Sequence, residues 1–372
     1  MRELAYIQTI KSLSPIPCAD AIECATVLGW EIVVKKSQFN VGDKIVFCEI
    51  DSILPEYPCF EFLRNKKFRI KTCRLRGCTS QGIVFPLSVI NEVDPTFDVS
   101  KAKVGDDVTE ALKIVKYDSE AELDVEPEAQ AKKSWLSNKY SYYKWKLFGF
   151  KKVKAVDGFP QDVPKTDETR VQKMASLLED RVGQPVYITE KVEGTSATFI
   201  FRKNGNWLAK LFDQDGIFQV CSRNRILYNS QKGNKPPHHL MTVAEKYNIH
   251  QQLKKLNRNL AIQGECIGPK IQANPYRIPD YELKVFLIYD IDKQTYLPYD
   301  EMVTLIEELG LTMVPIVSNT TIVFNDIKYY VGLSKGQSLI NGKILREGIV
   351  IRGKYDNFSF KSINPDYLLK QE

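Results

Sequence analysis

The sequence predicts an α+β chain in two parts, a small β-barrel over residues 1–112 and a larger antiparallel-sheet domain over residues 166–372. Three observations predict this. A length of 372 residues exceeds what one core usually serves. The first third is a run of short apolar strands broken by turn residues. The second half alternates longer strands with amphipathic helices and carries no repeat.

In the first part, residues 30–36 (WEIVVKK), 43–50 (DKIVFCEI), 68–77 (FRIKTCRLRG) and 80–87 (SQGIVFPL) read as strands, with Asn40, Gly42, Gly77 and Gly82 at the breaks. Short, closely spaced strands in a module of this size suggest a barrel of the OB kind. Lys71, Arg74 and Arg76 gather near one turn. They read either as a phosphate-facing patch or as a solvated edge that blunts strand pairing. Of eight cysteines, six lie within the first 78 residues. The spacings Cys18-x5-Cys24 and Cys73-x4-Cys78 repeat no zinc knuckle, and His238, His239 and His250 are distant in sequence. Small buried thiols are expected instead.

Residues 113–165 change character. An acidic, weakly periodic stretch reads as a linker, and an aromatic, basic one follows it (SWLSNKYSYYKWKLFGFKK). That second stretch either stacks bases or docks its aromatic rings on the next domain. The larger domain opens with residues 167–180 (DETRVQKMASLLED), where Val171, Met174, Leu177 and Leu178 have helical spacing. Strands follow at 186–201, 260–268 and 283–292, then a helix (YDEMVTLIEELG) and two late strands, GIVIRG and NFSFKSI.

Composition excludes little. A hydrophobic share of 43% and a charged share of 26% are those of an ordinary globular protein. The net charge of +6 is compatible with a polyanionic partner. The N-terminal stretch has no signal-peptide core, and no apolar run is long enough to span a bilayer. A monomer in the cytoplasm or nucleus, neither secreted nor membrane-bound, is expected.

Chemistry concentrates at strand ends of the larger domain. Lys191 closes an apolar strand, and Glu193 follows in the turn before Gly194. Glu265 interrupts AIQGECIG, Glu347 opens EGIVIR, and Lys361 lies on FSFKS opposite Phe358 and Phe360. Three acids and two lysines on apolar strands are costly to bury unless they pair with each other, a metal or a ligand. A lysine nucleophile fits the set. Deprotonating a free amine at neutral pH costs roughly 4 kcal/mol, and a neighbouring cation, Lys361 or a divalent metal, lowers that cost. Carboxylates suit Mg²⁺ with its retained waters. Such a site is built for in-line attack on phosphorus.

Here the sequence resembles a known family. EKVEG looks like the Lys-x-Asp-Gly signature of the covalent nucleotidyltransferases, and TDETRVQ, CSRN, GECIGP, VFLIYDID, EGIVIR and SFKSIN follow that family's order. The wording is similar to ATP-dependent RNA ligases, closest to the nick-sealing group with an N-terminal OB module. The resemblance implies an ATP-grasp-like adenylylation domain that joins 3′-hydroxyl and 5′-phosphate ends of RNA or RNA/DNA duplexes. Lysyl-AMP and an adenylylated 5′ end would be its intermediates, with ATP and Mg²⁺ or Mn²⁺ as cofactors.

It also implies roles. Lys191 would take AMP, Glu190 would contact the adenine edge, and Phe286 would stack on the ring. Arg170 and Arg223 would meet AMP or strand phosphates. Glu193, Glu265 and Glu347 would surround the metal, Glu193 or Glu265 also touching the ribose, and Lys361 would bind the α-phosphate. Two positions depart from the pattern: Glu193 stands where Asp is usual, and Ser359 replaces the first lysine of Lys-x-Lys. DNA ligases and capping guanylyltransferases typically carry a barrel after the last motif. This chain ends at Glu372, so the sequence favours an RNA ligase over both, and over a non-catalytic RNA-binding relative.

Overall fold

The computed structural model describes residues 3–117, 158–204, 216–227 and 238–370. Most of the expected linker and the aromatic, basic stretch after it therefore lie outside the described residues.

The N-terminal part is made of ten short strands: β1 (Ala5–Thr9), β2 (Ser12–Pro15), β3 (Ile22–Val27), β4 (Trp30–Lys35), β5 (Lys44–Cys48), β6 (Ser52–Ile53), β7 (Cys73–Leu75), β8 (Cys78–Ser80), β9 (Ile83–Pro86) and β10 (Val115–Lys116). They pair as β1-β5-β9, β2-β3-β4, the hairpin β7-β8, and β6-β10. β5 is the shared wall. Its side chains alternate, so Val46 and Cys48 enter one core while Ile45 and Phe47 enter another with Trp30. The stretch 68–77, expected as one strand, is a strand only at Cys73–Leu75; its first residues turn instead toward β6, where Arg69 bridges Ile53 and the Ile70 N–H donates to the Ser52 carbonyl at 2.9 Å.

The larger part holds two sheets. The strands β11 (Thr169–Arg170), β12 (Pro185–Lys191), β20 (Ile316–Ile322), β21 (Gly348–Gly353) and β22 (Ser359–Ile363) form a five-stranded sheet in the order β11-β22-β21-β12-β20. A seven-stranded sheet is built from β13 (Thr195–Lys203), β14 (Gly216–Cys221), β15 (Ile226–Leu227), β16 (Leu260–Ile267), β17 (Glu282–Asp290), β18 (Thr295–Tyr296) and β19 (Thr312–Met313).

Period-2 alternation gives each sheet one apolar and one polar face. Val186, Ile188, Ile349, Ile351 and Phe360 pack together behind the first sheet. Ala197, Phe199, Ile262 and Val285 pack behind the second, with Leu240 and Val243 of helix His239–Lys246 and Met302 and Leu305 of helix Tyr299–Glu308. Each fully buried aliphatic or aromatic side chain contributes roughly 1.5–3 kcal/mol.

One expected helix is shorter than its periodicity implied. Of residues 167–180, only Ala175–Asp180 is α-helical. Thr169 and Arg170 instead pair in parallel with Phe360 and Lys361 of β22, and a 3-10 turn follows at Val171–Lys173. Pairing with an open sheet edge prevails there over helical spacing. It also sets Arg170 beside Lys361.

The two parts touch. Lys173 Nζ lies 2.7 Å from Glu49 Oε1, Gly29 N–H donates to the Gln172 carbonyl at 3.1 Å, and Arg74 pairs with Asp366 at 2.7 Å.

Candidate active site

The polar faces of the two sheets and one side of the barrel enclose a cavity of about 650 Å³. The β12–β21–β22–β11 ladder sets Thr189 opposite Val350, Val350 opposite Lys361 and Lys361 opposite Arg170. These four side chains therefore share a face, and Lys191 stands at its end, two residues after Thr189. From the other sheet come Ser196, which pairs with Glu265, and Thr198, which pairs with Gln263. All four line the cavity.

The turn after Lys191 explains its glycine. A Cβ on Gly194 would run into the Cys266 carbonyl oxygen and lie 2.8 Å from Glu265 Cγ. Only glycine lets the turn after Lys191 lie this close to the Glu265 strand. Phe286 reaches the cavity through a β-bulge. Gln263 pairs with Leu287 but Gly264 with Val285, which leaves Phe286 as the extra residue aimed inward.

All nine residues singled out from the sequence line this one cavity: Arg170, Glu190, Lys191, Glu193, Arg223, Glu265, Phe286, Glu347 and Lys361. Lys191 Nζ is 2.7 Å from Glu347 Oε1. Burial disfavours its charge, but Glu347 and Glu265 outweigh burial and hold its pKa above the ordinary lysine value. The resting side chain is thus an ammonium ion. Glu190 is 1% exposed, and its Oε2 accepts the Leu339 N–H at 2.6 Å. Its Oε1 is buried without a partner among the described residues. Burial pushes this carboxyl up, against hydrogen bonds from Ser338 and the Leu339 backbone. An acceptor left over in a nucleotide-sized cavity suits an N–H on a base edge.

At the rim, Arg223 pairs with Asp167 at 2.7 Å. Burial alone would raise the Asp167 carboxyl, but Arg223 and then Lys361 bring it below the usual range. Arg170 is 8% exposed and lies 3.8 Å from Asp51 of the barrel. Glu193, Glu265 and Glu347 offer hard oxygen donors with no thiol or imidazole among them, which fits Mg²⁺ or Mn²⁺. Among the described residues these acids do not gather within 4.8 Å of one another.

Several site residues escaped the sequence reading. Arg352 is 4% exposed, pairs with Glu168 at 2.7 Å, donates to Thr189 Oγ1 at 3.1 Å, and lies 5.2 Å from the Phe286 ring centroid. The signal was present, since EGIVIR alternates and its arginine falls on the Val350 face. Tyr276 and Tyr367 clasp Glu193. The Tyr276 hydroxyl accepts the Glu193 N–H at 2.8 Å, and the Tyr367 side chain hydrogen-bonds the Glu193 side chain. Burial, followed by Glu347 and Glu193, pushes the Tyr367 hydroxyl well up, so it stays protonated and donates. Nothing in the sequence distinguished these tyrosines.

An OB-fold domain model matches residues 4–87, and an RNA ligase model matches residues 184–363. No curated protein sequence matches the chain. Among solved structures, the chain is similar to a Naegleria gruberi RNA ligase. A mutant of that enzyme with ATP and Mn is 31% identical, with 99% of this chain and 98% of that chain covered and a TM-score of 0.77. A mutant with AMP and Mn is 32% identical, with 99% of both chains covered and a TM-score of 0.77. The form with PPi is 32% identical, with 100% and 99% covered and a TM-score of 0.77.

Proposed function

This chain belongs to the ATP-dependent RNA ligases with an N-terminal OB-fold domain, and on that premise we propose that it joins a 3′-hydroxyl to a 5′-phosphate, at nicks in duplexes, through lysyl-AMP. What supports the reading most is that nine residues from seven segments of the chain, Lys191 among them, line one cavity.

In the first transfer, Lys191 Nζ attacks the α-phosphorus of ATP. A P–N bond forms, the bond to the β-phosphate oxygen breaks, and pyrophosphate leaves. The lysine begins as an ammonium ion paired with Glu347, so the attacking amine must first lose a proton and separate from that carboxylate. Positive charge from Lys361 and Arg170, side by side on β22 and β11, neutralises the α-phosphate. Glu190 Oε1 accepts from the adenine edge, and Phe286 lies against the ring. Glu193, Glu265 and Glu347 would hold Mg²⁺ or Mn²⁺, which would supply charge neutralisation at the phosphates. AMP then passes to a 5′-phosphate. Attack by a 3′-hydroxyl seals the strand and releases AMP. The roles of Arg223 and Arg170 are to hold AMP or the strand phosphates during these transfers.

The test is incubation with α-labelled ATP and divalent metal, followed by nicked duplexes with RNA or DNA on each side of the break. The chain should gain one adenylate, located by mass spectrometry on Lys191, and Lys191→Ala should abolish labelling and sealing while RNA binding persists. Sealing by Lys191→Ala, or no adduct on the unaltered chain, overturns the proposal.

A further inference from the structure

We propose that the barrel holds a soft divalent cation, Zn²⁺, between Cys24, Glu31 and Cys78. Residues with no common spacing in the sequence converge there. On the β3–β4 ladder Cys24 pairs with Val33 and Thr26 pairs with Glu31, so Cys24 and Glu31 are diagonal neighbours on one sheet face. The hairpin β7–β8 lies along β4. Val33 N–H donates to Ser80 Oγ at 3.0 Å, and Gln81 N–H donates to the Glu31 carbonyl at 2.9 Å. Cys78 is two residues from Ser80 and shares its side of the hairpin. The two sulfurs and a Glu31 carboxylate oxygen all lie within 4.8 Å of one another.

Tetrahedral zinc with bonds of about 2.3 Å to sulfur sets its donors about 3.8 Å apart, inside the 4.8 Å that bounds these three atoms. Cys73 faces Ser80 across the same hairpin and is close enough to act on Cys78. The donor set differs in kind from the all-carboxylate set near Lys191: thiolates select zinc over magnesium. An ion here would pin the hairpin whose Arg74 pairs with Asp366, next to Tyr367.

The experiment uses the full chain, reduced and stripped of metal, titrated with Zn²⁺ or Co²⁺. One ion should bind per chain, cobalt should give a thiolate-to-metal charge-transfer band, and zinc should raise the melting temperature. Cys78→Ser should abolish the band. Glu31→Gln, at an exposed position, should weaken zinc binding by at least about tenfold, and Cys59→Ser should change nothing. Absence of the sulfur band, or zinc affinity in Glu31→Gln and Cys78→Ser equal to that of the unaltered chain, overturns the proposal. None of these readouts depends on adenylylation.

Discussion

Tyr367 illustrates how one hydroxyl orders a carboxylate. Burial keeps it protonated, and it donates to Glu193, while the backbone of Glu193 is anchored by Tyr276. Glu193 is one methylene longer than the aspartate usual at this place in the motif, so its carboxylate needs that second anchor. Tyr367→Phe removes only the donor oxygen. It should slow lysine adenylylation about tenfold, the loss of one hydrogen bond to a charged group, with the melting temperature nearly unchanged. Single-turnover labelling kinetics beside a thermal melt checks this. Equal rates in both proteins would show that Glu193 is positioned without Tyr367.

Helix His239–Lys246 carries the clearest response to acid. His238 Nδ1 caps it by accepting the Leu240 N–H at 3.2 Å, which requires an unprotonated nitrogen. Burial, then the neighbouring His238, lowers the His239 pKa from its ordinary 6.5 to about 4, and its Nε2 is buried without a partner among the described residues. A depressed histidine pKa means the unfolded chain binds the extra proton first. The contribution is therefore fully present above about pH 6.5 and is lost as pH falls toward about 4, amounting to up to about 3 kcal/mol. His239→Gln should flatten the fall in melting temperature across that window, as calorimetry at several pH values would record. An unchanged slope would assign the acid limb to other groups.

Elements were legible in the sequence where local pattern and partner agree. The Lys191 strand, the Glu265 strand and helix Tyr299–Glu308 follow from period 2 and period 3.6 alone. Residues 167–180 were misread in part because helical spacing cannot reveal that β22 offers an open edge to Thr169 and Arg170. The bulge that aims Phe286 is a register event, invisible until β16 and β17 are paired. The Cys24, Glu31 and Cys78 cluster is invisible for a similar reason, since it needs two separate hairpins to be stacked.

For the whole molecule, Glu49 is the most buried charge at the contact between barrel and larger domain among the described ion pairs that cross it. This carboxylate is 1% exposed, accepts from the Tyr6 hydroxyl at 2.7 Å and meets Lys173 Nζ at 2.7 Å across the boundary. Removing its charge leaves the half-buried Lys173 ammonium uncompensated. Glu49→Gln should cost about 3 kcal/mol and split a single unfolding transition into two, with the barrel melting apart from the catalytic sheets. Calorimetry would decide it, and one undivided transition at the original temperature would mean the parts are coupled elsewhere.

That boundary has a bearing on inheritance. Gly29 approaches Gln172 and Ile327 so closely that a Cβ would lie 2.6 Å from Ile327 Cδ1, while Asp51 reaches Arg170 at the edge of the cavity that Lys191 lines. A chimaera given a foreign barrel that lacks Gly29, Glu49 and Asp51 would therefore be handicapped beside Arg170 itself, so exchange of one half between lineages should succeed only when the matching seam travels with it.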